Sequence, residues 1–224
     1  RSLMFGFNPF SMVDSPNGTI ASVVYTLGCN LRCEYCYNSS LVLPELFSKN
    51  DKLYDLQGVK AQILAKRSLN NNNSYFNKSD YIVISGGEPL LHYDEVIDLA
   101  TYSSSLGFKV KVNTNATIDV SRLLETRLVD YVSLDLKDVF RNVPPAVGEN
   151  FARVNAACQK KQILGFELHT VLLRGKATRE TVQSMAEGLN SLGIKAKWYL
   201  VGFKYTDTVI SKDLSMDDRL TEPE

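Results

Sequence analysis

Short β-branched runs alternate with longer helical patterns along most of the chain, and that alternation confines it to repeated β–α units around a parallel sheet. Strands are predicted at Ile20–Tyr25, Tyr81–Ser85, Lys109–Val112, Tyr131–Leu136, Phe166–Leu172 and Lys197–Val201, about six units in all. Between the last two, Thr178 is placed to cap a helix in which Val182, Met185, Ala186, Leu189 and Leu192 recur at three-and-four spacing before Gly193 stops it. Asp94 is read as the cap of another helix, with Val96, Ile97 and Ala100 facing inward and Gly107 at its end. The stretch from Ser68 to Asp80 carries four consecutive asparagines and reads as a solvated loop. With 224 residues, 44% of them hydrophobic, the chain can bury one large core. We therefore expect a core domain over 1–204, with 205–224, polar and without a clear period, as a C-terminal tail or peripheral extension.

Charge and cysteine usage narrow the partners. Lys+Arg and Asp+Glu both total 25, so the chain lacks the positive field that non-specific nucleic-acid binding needs. Its apolar runs, such as Val171–Leu173, fall far short of the roughly 20 residues a membrane-spanning helix requires. No secretory signal pattern follows Arg1. Three of the four cysteines lie within eight residues and the fourth, Cys158, is distant, which is unlike a secreted disulfide framework. A reducing, cytoplasmic setting is the expectation.

The chemistry concentrates after two strands. Leu27-Gly28-Cys29-Asn30-Leu31-Arg32-Cys33-Glu34-Tyr35-Cys36 follows the first, so Cys29, Cys33 and Cys36 share one loop at the strands' C-terminal edge, where parallel β–α folds place their sites. Thiolates are the usual iron–sulfur ligands, and three of them around a cubane leave one iron open. A structural zinc would need a fourth ligand, for which only His92, His169 and Cys158 are available. Their simpler readings are a loop histidine, a strand histidine and a small core residue on a helix. After the next strand comes Ser85-Gly86-Gly87-Glu88-Pro89. Its paired glycines let the backbone approach a ligand closely, and Glu88 is placed to hold a ligand's ammonium.

The cysteine spacing followed by Gly-Gly-Glu-Pro resembles the radical S-adenosylmethionine (SAM) superfamily, over roughly Val13 to Phe203. The resemblance implies a partial (β/α)6 TIM-like barrel, a [4Fe-4S] cluster on Cys29, Cys33 and Cys36, and reductive cleavage of S-adenosyl-L-methionine to a 5'-deoxyadenosyl radical. It also implies that Tyr35 helps seat the adenine and that Gly86, Gly87 and Glu88 receive the amino group. Met12-Val13-Asp14-Ser15-Pro16-Asn17-Gly18 and Val23–Asn30 are similar to the activating enzymes of glycyl-radical enzymes. From that branch Asn113, Thr114, Asn115, Ser133, Asp135, Lys137 and His169 become candidate SAM contacts. A glycyl-radical protein is the implied substrate, and a flavodoxin- or ferredoxin-like protein the implied electron donor. Asn113 stands where the pyruvate formate-lyase type has aspartate, Ser133 replaces a methionine, Tyr37 a frequent histidine and His169 an arginine. A monovalent-cation site near Asp135 is consequently not carried over. The competing readings are a small-molecule enzyme similar to 7-carboxy-7-deazaguanine synthase, a peptide-modifying enzyme, and a non-enzymatic iron–sulfur or zinc module.

Overall fold

The computed structural model describes residues 3–70, 79–137 and 144–220. Most of the asparagine-rich loop therefore lies outside the described residues. Seven strands form one sheet: β1 (Phe5–Ser11), β2 (Ala21–Thr26), β3 (Tyr81–Gly86), β4 (Lys109–Thr114), β5 (Tyr131–Asp135), β6 (Gly165–Leu172) and β7 (Lys197–Gly202). They are ordered as in the sequence, with β2 to β7 all parallel, which gives the six units of the partial barrel. β1 was not legible as a strand. It pairs antiparallel with β2, and its sequence FGFNPFS carries Gly6 and Pro9, both depleted in strands. Pro is tolerated there because β1 is an edge strand and its register is irregular between Asn8 and Ser11.

The connecting helices are α1 (Ser39–Val42), α2 (Leu56–Asn70), α3 (Tyr93–Ser105), α4 (Ser121–Glu125), α5 (Pro145–Gln159) and α6 (Arg179–Ser191). Thr178 caps α6 through its side chain, which accepts from Thr181 N at 3.1 Å, and Gly193 follows with φ +66°. The start of α3 corrects the sequence reading. Its N-cap is His92, because a 3-10 turn at Pro89–His92 feeds directly into the helix. Asp94 lies in the first turn instead, where its charge suits the positive end of the helix dipole.

Strand alternation sorts the side chains onto two faces. Val24, Ile82, Ile84, Val110, Val112, Val132, Leu134 and Leu168 point outward and pack against Val59 and Ile63 of α2, Leu99 of α3, Phe151 of α5 and Met185 of α6. Each such burial stabilises by about 1.5–3 kcal/mol relative to exposure. Cys158 joins the edge of this core. The inward face is polar over its upper part, with Tyr25, Ser85, Lys111, Asn113, Ser133, Asp135 and His169 lining a cavity of about 980 Å³. Among the described residues no helix is long and apolar enough to cross a membrane. After β7 the chain turns back over the sheet's C-terminal edge, where Phe203 and Val209 are buried beside Leu173.

Candidate functional site

The loop from Leu27 to Tyr37 joins β2 to α1 and is anchored at its root. Gly28 adopts φ +91°, its N–H donates to Leu41 O at 2.7 Å, and its carbonyl accepts from Glu88 N at 2.8 Å. The His92 ring reaches Leu27 O through Nε2 at 2.8 Å. The turn after β3 is pressed against this root. A Cβ on Gly87 would collide with the Gly28 carbonyl, and one on Gly86, whose φ is +127°, would collide with the Thr26 backbone. Sequence alone attributes these glycines to the approach of a ligand; the structure shows a nearer demand, the packing of one loop on another.

Glu88 is also engaged within the protein. Its side chain is 0% exposed and is taken up by three protein donors. Oε1 accepts from Leu90 N at 3.0 Å and Thr114 Oγ1 at 2.7 Å, and Oε2 accepts from Asn115 N at 2.8 Å. Burial pushes its carboxyl up to about 7, against those three hydrogen bonds, which favour the charged form. Glu88 and Thr114 thus tie the end of β3 to the end of β4. Asn115 passes the constraint on, since its side-chain amide donates to Asn30 Oδ1 at 3.1 Å and lies 3.9 Å from the Cys29 sulfur.

All three loop cysteines are free thiols and line a pocket of about 300 Å³ together with Tyr35, Lys137 and Phe203. Burial pushes the Cys29 and Cys36 thiols up, so a bound metal must displace their protons. Leu31 N donates to the Cys29 sulfur at 3.4 Å. Lys137 sits 2.8 Å from Asp135 Oδ2 and 5.6 Å from the centre of the Tyr35 ring. Burial works against its ammonium, but Asp135 and Tyr35 outweigh it and hold the pKa above the ordinary lysine value. Burial likewise raises the Tyr35 phenol.

The larger cavity adjoins this pocket and shares Gly86, Gly87, Asn115 and Asp135 with it. Asn113, Ser133 and His169 line only the larger one. Asn113 donates to Ser85 Oγ at 3.3 Å, while its Oδ1 is buried without a hydrogen-bond partner. Sequence reasoning missed the network behind His169. Its Nε2 pairs with Glu167 Oε1 at 2.9 Å, and its ring stacks on Tyr199 with centroids 5.0 Å apart. Lys111 Nζ reaches the same Glu167 oxygen at 2.9 Å and Asp14 O at 2.7 Å, fastening the β1–β2 connection to the inner wall. Although burial opposes the Glu167 charge, His169 and Lys111 prevail and hold its carboxyl down at about 2. The signal was present in Lys-Val-Lys-Val-Asn, since a parallel strand covered on both faces is normally apolar throughout.

Comparison with known proteins agrees with this arrangement. The family model described as the radical SAM superfamily matches residues 23–189. A Methanocaldococcus jannaschii protein named for glycyl-radical enzyme activation is 34% identical over 139 residues, covering 61% of this chain and 51% of that protein. A 7-carboxy-7-deazaguanine synthase of Halobacterium salinarum is 32% identical over 103 residues, 45% of this chain and 34% of that one. The chain thus spans about half the length of the first and a third of the second. Among solved structures, native anSMEcpe with bound AdoMet and Kp18Cys peptide superposes with a TM-score of 0.51 at 19% identity. That match covers 78% of this chain and 48% of the other, and is a likeness of fold.

Proposed function

The chain belongs to the radical SAM superfamily, whose members use a [4Fe-4S] cluster and S-adenosylmethionine, and from that premise we propose that it activates a glycyl-radical enzyme. The donor set fits the cluster. Three thiols of one loop line a pocket of about 300 Å³. A cubane suits such a set, because its irons take their thiolates at separate corners. Cys29, Cys33 and Cys36 would hold it, with the Leu31 and Asn115 N–H groups near the Cys29 sulfur partly offsetting the thiolate charge.

SAM would lie across the same pocket. Lys137 offers its ammonium to the carboxylate of SAM, Asp135 offers an acceptor for hydroxyl groups, and the backbone at Gly86 and Gly87 lines the space beside the thiols. Val171, Val201 and Phe203 supply apolar surface to the pocket wall, and of these Phe203 is buried. When bound, the pair would supply one-electron reductive cleavage of SAM to methionine and a 5'-deoxyadenosyl radical, with the electron coming through the cluster from a flavodoxin- or ferredoxin-like donor, for hydrogen-atom abstraction from a glycine Cα of the partner.

The single observation that carries the reading is the continuity of the thiol pocket with the 980 Å³ cavity, which admits a substrate segment beside the cluster. At the cavity's rim Met12 and Val13 are 68% and 90% exposed, as suits contact with a protein. Asp135-Leu136-Lys137 and the similarity to the activating-enzyme relative favour the activase. The similarity to the deazaguanine synthase favours a small-molecule substrate as the second reading. The test uses anaerobically reconstituted protein, dithionite and SAM, with a glycine-loop peptide of a glycyl-radical enzyme, deuterated at the glycine Cα. The activase reading expects a glycyl-radical EPR signal and deuterium in 5'-deoxyadenosine. A silent peptide alongside SAM-dependent formation of 7-carboxy-7-deazaguanine from a small-molecule precursor would replace it with the second reading.

A further inference from the structure

The segment after β7 reads in the sequence as peripheral, yet it is hydrogen-bonded to the cysteine loop. Ile210 N donates to Cys36 O at 3.0 Å, and Ser211 N donates to Glu34 O at 3.0 Å. Val209, 2% exposed, packs with Leu173 and Phe203 in a small apolar cluster that also takes in Tyr35 and Leu214. Phe203 in turn lines the thiol pocket. Two further ties hold the segment and the loop to the connection between β6 and α6: Arg174 N donates to Asp218 O at 2.9 Å, and Lys176 pairs with Glu34. Lys212 closes the local turn through Asp207 O at 3.2 Å and Val209 O at 3.1 Å.

We infer that Val209–Ser211 are positioning residues of the cluster site, holding Cys36 and Tyr35 in place and closing the pocket on that side. The inference rests on the assignment of the cluster to Cys29, Cys33 and Cys36. Its physical basis is the state of the loop without the segment. The carbonyls of Glu34 and Cys36 would lose their donors, Phe203 would lose its cover, and the loop would keep its root near Gly28 while its far end became free. A ligand set must be held to a fraction of an ångström to bind tightly, so freedom at Cys36 speeds departure of the cluster. A thinner wall also lets water reach it, and exposure is one of the factors that sets a cluster's reduction potential.

The wild type is compared with Ile210→Pro, which lacks the N–H given to Cys36, with Val209→Ala, which thins the apolar cover, and with Val209→Ile, which keeps it. Each is reconstituted anaerobically. The readouts are the rate at which a ferrous chelator strips iron, the cluster midpoint potential, and the melting temperatures with and without iron. For Ile210→Pro and Val209→Ala we expect iron release at least about tenfold faster, equivalent to roughly 1.4 kcal/mol. Their midpoint potentials should shift, and their melting temperatures should fall more with iron bound than without it. Val209→Ile should restore the wild-type release rate and potential. Wild-type release and potential in both weakened variants overturn the inference. So does an equal fall in melting temperature with and without iron, which would mark the segment as general scaffolding. If Ile210→Pro does not fold, Val209→Ala decides the matter alone. A wild type that takes up no iron would instead sink the cluster assignment itself, a different failure.

Discussion

Two glycines and one glutamate show how a residue can be conspicuous in sequence for a reason that only its neighbours reveal. Gly87 lies against the Gly28 carbonyl, so the absence of a side chain there serves the protein's own packing. Gly87→Ala must therefore move the root of the cysteine loop, at a cost on the order of 1–3 kcal/mol. Reconstituted Gly87→Ala is expected to hold clearly less iron than wild type, as measured by iron per protein after desalting. Full iron with weakened SAM binding by calorimetry would return the glycine to the role of admitting the ligand. Glu88 is conspicuous for its charge, and the structure spends that charge inside the protein on Leu90, Thr114 and Asn115.

At the scale of elements, the site is a joint between the C-terminal ends of β2, β3 and β4, and Glu88 is the pin through the last two. Its folded carboxyl, pushed up to about 7 from an ordinary 4.5, binds its proton more tightly than the unfolded chain does. The stabilising contribution is therefore fully present below pH 4.5 and is lost as pH rises through about 7. Glu88→Gln keeps the shape but does not titrate, and it sets an amide N–H₂ against backbone donors. The variant should be less stable at pH 5 by roughly 1–3 kcal/mol, with the gap narrowing by pH 8. Urea unfolding of iron-free protein at the two pH values checks both the size and the sign. A gap that widens with pH would mean that Glu88 is held ionised by its three donors. The segment from Val209 to Ser211 belongs to the same scale, because it fastens the other end of the cysteine loop to the edge after β6 and β7.

For the whole molecule, cluster binding and folding of the site are coupled, since the thiols must lose their protons and the loop must be fixed before iron is held. Cys33→Ala leaves two thiols on the loop and should lose the cluster, whereas Cys158→Ala, at the edge of the helix-packed core, should keep wild-type iron. Iron quantification and the cluster's visible absorption decide this, and equal loss from Cys158→Ala would mean a different ligand set. The periodicity of β-branched runs carried the parallel strands, because the outward apolar residues of β2 to β6 must be covered by helices. Local chemistry carried the cysteine loop, since thiol spacing within one loop is a property of neighbours in the chain. β1 escaped because its glycine and proline mask an edge strand whose pairing is set by β2. The Lys111–Glu167–His169 network escaped because its members come from two strands far apart in sequence. The sequence by itself determined the parallel β–α architecture and the three cysteines, both written in short-range pattern. Only the tertiary structure decided that Glu88 is a buried pin, that Gly87 yields to Gly28, and that the polar segment after β7 is hydrogen-bonded to the cysteine loop. Those roles depend on which distant backbone groups meet in space, and no local pattern encodes that meeting.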